Sequence, residues 1–301
     1  MLKFAIFSDY HYWKTHYPQD LSGLETIMKR AAEAKVDFII HCGDLCHDAP
    51  TSPEIREVYV NNRYGIPALG CLGNHEVEAS DSLAEVIKAY DMPSNYYFRD
   101  LGGYRLIVLD TNYYLDGSEL RHNPPHSHSR PMGDRLPPDE LNWLAETLDS
   151  AAGSCIIFSH ASLEEPCGCP QSEEVREILR SRPGKVLMCC NGHHHTNSLN
   201  VSEGILWFDV NATYNVLWEQ MDNPLFPEDF KKSARMARNC CFTATPLSAI
   251  VTIDGDRITV EGARSEYLYG ASPEKLGLDR PNRFGRHPSA EISSGVFRLG
   301  Q

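Results

Sequence analysis

The amino-acid sequence predicts an α/β fold in which strands buried on both faces alternate with helices. Three observations predict it. Short, continuously apolar runs recur along the chain, and segments with apolar residues at helical spacing separate them. Most of the runs also stop in a cluster of polar side chains, and ligands of open α/β sheets gather beyond the carboxyl ends of the strands.

In chain order, Phe4 to Phe7 leads to Ser8, Asp9, Tyr10 and His11. Leu21, Leu24, Ile27, Met28 and Ala31 then recur at helical spacing. Val36 to Ile40 leads to His41, Cys42, Gly43 and Asp44. Ser52-Pro53 reads as an N-cap followed by proline at the first helical position. Ile66 to Leu72 leads to Gly73, Asn74, His75 and Glu76, where Glu76 is given no task beyond shaping the turn. Ser82-x-x-Glu85 fits a capping box. Leu106 to Leu109 leads to Asp110, Thr111 and Asn112, and Asp139 to Leu148 places Leu141, Leu144 and Leu148 on one helix face. Cys155 to Phe158 leads to Ser159 and His160, and a helix from Ser172 turns Val175, Ile178 and Leu179 inward. Val186 to Cys190 leads to Asn191, Gly192, His193, His194 and His195. Ala249 to Ile253 and Ile258 to Val260 flank Asp254-Gly255-Asp256 as a hairpin.

Two stretches break this rhythm. Residues 116–138 form a long insertion rich in Pro, His and Arg, whose His122, His126 and His128 read either as exposed loop histidines or as a lid. Residues 216–246, with Trp218 and Phe226, read as a cap segment. The expected organisation is one domain over 1–265, with a tail at 266–301 that packs on it or extends it.

At 301 residues the chain has ample length for a core, and its net charge of −13 argues against a general nucleic-acid partner, which needs a basic surface. No run approaches membrane-spanning length, and the first residues lack the pattern of a signal peptide. A cytoplasmic protein is therefore expected, with no membrane partner and with its ten cysteines as reduced thiols. The pattern leaves the oligomeric state open.

Asp9, His11, Asp44, Asn74, His160, His193 and His195 together offer two carboxylates, one amide and four imidazoles. One ion takes about six donors, so this set fits two ions with a shared ligand better than one. Mixed nitrogen and oxygen donors favour Mn, Fe or Zn. Each motif alone is ordinary: Gly43-Asp44 makes a turn, and a histidine after a buried run is more often a satisfied core residue. Asp9-x-His11 and His193-x-His195, if extended, would aim each pair to one side, with His194 turned away. Tyr12, Trp13 and His16 could wall a site for a base or sugar.

The ordered blocks Asp9-x-His11, Gly43-Asp44, Gly73-Asn74-His75-Glu76, His160 and Gly192-His193-x-His195 resemble the calcineurin-like metallophosphoesterase superfamily over roughly residues 1–215. Their form is most similar to its cyclic-nucleotide phosphodiesterase branch. The resemblance implies two mixed β-sheets packed as a sandwich with flanking helices, a four-layer αββα fold. It implies one metal on Asp9, His11 and His195, a second on Asn74, His160 and His193, and Asp44 bridging them. It implies a dinuclear metal-dependent phosphoester hydrolase in which a bridging hydroxide attacks phosphorus in line and His75 protonates the leaving oxygen. The substrate it implies is a small nucleotide-like phosphodiester. A phosphomonoesterase, a nucleotide pyrophosphatase or a non-catalytic scaffold of the same fold are the alternatives. One departure stands out: the phosphoprotein-phosphatase branch has an aspartate three residues after the bridging one, where this chain has His47, with Asp48 next. The carboxylate partner of His75 is thereby left open.

Overall fold

The structure, a computed structural model, describes the chain except residues 15, 48–51, 79, 81, 117–118, 123–133, 165–168, 220–221, 282–284 and 300–301, and the side chains of 119 and 120. The strands are β1 (Leu2–Phe7), β2 (Phe38–His41), β3 (Ala68–Gly70), β4 (Tyr97–Leu101), β5 (Tyr104–Val108), β6 (Tyr113–Asp116), β7 (Glu119–His122) and β8 (Cys155–Phe158). They continue as β9 (Val186–Asn191), β10 (Ser198–Ser202), β11 (Ile205–Asp209), β12 (Asn215–Trp218), β13 (Cys240–Phe242), β14 (Ala249–Asp254), β15 (Arg257–Gly262) and β16 (Gly295–Arg298). The α-helices are α1 (Leu21–Ala34), α2 (Pro53–Ile55), α3 (Asn74–Glu78), α4 (Leu83–Ala89), α5 (Pro138–Ser150), α6 (Ser172–Arg180) and α7 (Glu228–Ser233).

Two large mixed sheets carry the fold. The first runs β16-β15-β14-β1-β2-β3, with β1, β2 and β3 parallel, β14 antiparallel to β1 and β15 antiparallel to β14. The second runs β10-β11-β9-β8-β5-β4, parallel through its four central strands and antiparallel at both edges. Strand alternation separates two apolar layers. Leu106, Val108, Ile156 and Phe158 join Phe4, Ile6, Phe38 and Ile40 between the sheets, while Ile107 and Ile157 pack outward on Leu144, Leu148, Val175 and Leu179 of α5 and α6. Phe4 stacks on Phe38 at 4.9 Å, and Phe158 of the opposite sheet meets it edge-on at 5.8 Å. Leu24, Ile27, Met28 and Ala31 of α1 cover the outer face of the first sheet. The sandwich flanked by helices is the architecture that the family resemblance implied.

Local details depart from the sequence pattern. Helix α4 starts at Ser82 as expected, but the Ser82 hydroxyl makes no cap bond; its main-chain carbonyl alone takes the Glu85 and Val86 amides. Ser52 likewise makes no side-chain cap, and α2 runs into a π-helical turn at Arg56–Val60. The hairpin closes through Gly255, at φ 62°, and Asp256. The 216–246 stretch supplies β13 and α7, and the tail ends in β16, paired to β15. The nine described cysteines are free thiols and all buried. Among the described residues no helix is long and apolar enough to cross a membrane.

Candidate metal centre

Strands β1, β2, β3, β8 and β9 all deliver their carboxyl ends to one place where the two sheets meet. Asp9 and His11 follow β1, Asp44 follows β2, Asn74 opens α3, His160 follows β8, and His193 and His195 follow β9. The structure brings all seven together. His195 Nε2 lies 3.3 Å from Asp9 Oδ1 and 3.1 Å from His11 Nε2. His160 Nε2 lies 3.1 Å from Asn74 Oδ1, 3.2 Å from His193 Nδ1 and 3.3 Å from Asp44 Oδ2. Asp9, His11 and His195 form one group with metal-ligand spacing, and Asp9, Asp44 and His160 another.

The backbone route to this convergence differs from the expected one. Asp9, His11, Asp44, His193 and His195 have φ of 51°, 54°, 52°, 68° and 50°, the left-handed region that side-chain-bearing residues rarely adopt. The Asp-x-His and His-x-His pairs are therefore not extended, and left-handed kinks rather than strand alternation aim both members inward. His194 is not turned away either; it lines the cavity beside its neighbours, its ring tilted on His193 at 5.2 Å. Such strain persists only where the surroundings over-determine it, and it clusters at functional sites. Glycines permit the close approach: a Cβ on Gly43, itself at φ 94°, would strike the His160 ring, and one on Gly192 would strike Ser8 and Asp9.

The electrostatics call for cations. Asp9 Oδ2 receives the Ser8 hydroxyl at 2.5 Å and the His193 amide at 3.0 Å, while buried Oδ1 faces His195 Nε2 at 3.3 Å and makes no closer polar contact among the described residues. His160 Nδ1 meets the Cys42 carbonyl at 2.7 Å, so it carries a hydrogen, and Nε2 faces the acceptors of Asn74 and Asp44. Burial pushes the His11 pKa down to about 3, only partly offset by Asp44, which leaves its imidazole neutral and able to ligate. Burial opposes ionisation of Asp44 and Asp9. The facing histidines outweigh it, His160 and His75 for Asp44 and chiefly His195 for Asp9, and hold both carboxyls below the usual range. The same two carboxylates push the His160 and His195 pKa values up, so without a cation these imidazoles take the proton that would balance the buried negative charge. Imidazoles, an amide oxygen and two ionised carboxylates on one buried point form a donor set that a transition metal fits.

Four residues not assigned from the sequence support these donors. Glu76, buried, accepts the main-chain N–H groups of Asp44 (3.0 Å), Leu45 (2.5 Å), Cys46 (3.1 Å) and Gly73 (2.8 Å). It thus ties the loop after β2 to the loop after β3, which corrects the view that it only shapes its own turn. Burial and the nearby Asp44 charge push its pKa up to about 7. Glu78 accepts Asn74 Nδ2 at 3.1 Å and lies 3.6 Å from His75 Nδ1, while His75 Nε2 points to Asp44 Oδ2 at 3.9 Å. Asp48 lies outside the described residues; among the described ones Glu78 is the carboxylate at His75 Nδ1, and its i+3 and i+4 spacing was the available signal. His47 contacts His11 Nδ1 through Nε2 at 2.9 Å and stacks on His75 at 4.2 Å. Asp134, at the end of the long insertion, meets His193 Nε2 at 3.3 Å.

Of the other candidates, Tyr12 bonds Glu54 at 3.0 Å and Trp13 stacks on His16 at 3.5 Å and His47 at 4.7 Å; neither they nor His16 line the cavity among the described residues. His122 pairs with buried Asp110 at 2.8 Å and anchors the hairpin of β6 and β7, so it is not an exposed loop histidine. His126 and His128 lie outside the described residues. The cavity above the metal centre measures about 600 Å³, and its far wall comes from β12, Met236 and the tail.

The sequence matches the calcineurin-like phosphoesterase family over residues 2–197, about two thirds of the chain. Among solved structures it is similar to a dimetal phosphatase from Danio rerio, 15% identical, covering 99% of both chains at a TM-score of 0.61. It is also similar to GAP50, the anchor in the inner membrane complex of Plasmodium, 11% identical over 100% of this chain and 89% of that one at a TM-score of 0.51. At such identities the likeness shows the fold alone. No curated protein matches the chain.

Proposed function

The chain belongs to the calcineurin-like phosphoesterase family, and we propose that it is a dinuclear metal-dependent hydrolase whose substrate is a small nucleotide-like phosphodiester. The observation that carries this reading is the convergence of seven donor side chains on one buried point at the floor of a 600 Å³ cavity. Asp9, His11 and His195 would hold one ion, Asn74, His160 and His193 the second, with Asp44 shared. The mixed donors favour Mn, Fe or Zn. Two ions held there supply Lewis acidity to a phosphoryl group and activate water as the nucleophile.

The chain's own residues do the rest. His75 presents Nε2 to the metal face, the position from which a proton passes to the leaving oxygen; such general acids contribute roughly 10²–10⁴-fold. Glu78 beneath Nδ1 and His47 stacked on the ring fix its orientation. Glu76 fixes the distance between Asp44 and the Asn74-His75 turn. We assign the catalytic unit to 1–265, with the 266–301 tail extending it through β16 and the cavity wall. A phosphomonoesterase or nucleotide pyrophosphatase would use the same floor. A scaffold of this fold, as the anchor named in the Plasmodium protein suggests, has no need of seven filled donor positions.

The test is to strip the protein of metal and assay it with Mn²⁺ against mono- and diesters of p-nitrophenol and a nucleotide panel. Metal-dependent turnover favouring diesters is expected. No turnover of any phosphate ester would refute the reading.

A further inference from the structure

We propose that the chain beyond its family match builds a subsite for the organic part of the substrate, a shelf on which Trp218 takes a planar, nucleobase-sized ring. The inference rests on the phosphoesterase reading of the metal floor. The division of the cavity is the first argument. All seven metal donors lie within residues 2–197, whereas the facing wall, including Leu217, Trp218, Met236, Leu278 and Pro281, lies wholly beyond them. What the family shares is the floor, and what selects among esters is the wall this chain adds.

Size and chemistry name the occupant. Cavities of roughly 300–1,000 Å³ enclose organic ligands, so about 600 Å³ far exceeds what a phosphate alone would fill. Trp218 is 52% exposed at this wall, while Trp207, by contrast, is 2% exposed in the core. Leu217, Met236 and Pro281 add apolar surface to this wall, and Arg280 Nη2 meets Glu219 Oε1 at 3.1 Å. Asn215 and Thr196 line the same cavity as polar groups open to a sugar, and what the exposed indole adds is a face on which a flat heteroaromatic ring stacks without regard to its edge pattern. The same ion pair fastens the tail to the end of β12 and so holds the wall upright. Arg286, paired with Glu164 at 2.8 Å, fastens it a second time, to the segment after His160.

The experiment uses the 301-residue chain stripped of metal, so that binding is read apart from catalysis. Calorimetric titration with adenosine should show saturable binding, and ribose should bind more weakly. Trp218→Phe should retain adenosine binding, and Trp218→Ala should weaken it roughly tenfold or more. With Mn²⁺ restored, Trp218→Ala should lower kcat/KM for a 2′,3′-cyclic nucleotide while sparing glycerophosphocholine, a diester without a ring. Adenosine binding unchanged in Trp218→Ala, or absent from the wild type, would overturn the proposal. A wild type that binds adenosine on Trp218 yet hydrolyses no ester would uphold the shelf and refute the phosphoesterase reading.

Discussion

Replacing Glu78 by glutamine should slow only those substrates whose leaving group needs a proton. Glu78 is 1% exposed, accepts Asn74 Nδ2 at 3.1 Å and sits 3.6 Å from His75 Nδ1. Glutamine preserves the volume and an acceptor oxygen for Asn74, but it puts a neutral amide where the carboxylate faced the imidazole. A contact to a charged group contributes about 1.5–3 kcal/mol against about 0.5–1.5 for a neutral pair, so the change costs about 1–2 kcal/mol in holding the ring. That corresponds to roughly 5–30-fold in a step that depends on its orientation. At 3.6 Å the contact is looser than an ideal hydrogen bond, which favours the lower end. The assay is kcat over a series of phosphodiesters with alkyl to p-nitrophenyl leaving groups, alongside metal content by mass spectrometry. Alkyl esters should fall by that factor, p-nitrophenyl esters should hardly change, and both ions should remain bound. An equal loss across the series, or loss of metal, would refute the role given to Glu78.

Glu76→Ala should strip acceptors from several buried amides at once. At about 1–3 kcal/mol for each unsatisfied group, a loss above ~3 kcal/mol in urea unfolding is expected, and a change below ~1 would contradict the anchoring role. His41, in the core, has its pKa pushed down to about 3 by burial, so it stays neutral in the folded chain while the unfolded chain takes up a proton below its ordinary value of 6.5. Its contribution therefore makes stability fall as pH drops from about 6.5 towards 3, by up to about 1.4 kcal/mol per pH unit. His41→Asn should reduce that slope in denaturation curves of the metal-free protein between pH 6 and 4, and an unchanged slope would argue against a neutral His41. Asp134→Asn should loosen His193 and lower metal affinity roughly 10–100-fold in chelator competition, with the fold intact by circular dichroism.

Much of the centre was legible in the sequence because each donor directly follows an apolar run. Phe7, His41 and Phe158 end buried strands, so Asp9, Asp44 and His160 emerge at the carboxyl ends of the sheets. The geometry at those ends was not legible. Nothing in the residue types of Asp9 or His195 reports a left-handed φ, because tertiary packing imposes it against local preference. Glu78 lies one helical turn beyond Asn74 and His75, but that spacing marks it as their partner only once the segment is known to be helical. Asp134 could not be found by spacing, since the long insertion separates it from β6, and its partner His193 lies in another loop. The far wall was the least legible part. Trp218, Met236 and Arg280 come from three segments without shared periodicity, and only the fold sets them opposite the metal floor.

The most direct measurement of the central claim is the number of transition-metal ions bound per chain after exhaustive dialysis, in the wild type and in Asn74→Ala. Seven donors with Asp44 shared predict two ions in the wild type and loss of one in the variant. One ion or none in the wild type, or two retained in the variant, would contradict the dinuclear centre as assigned.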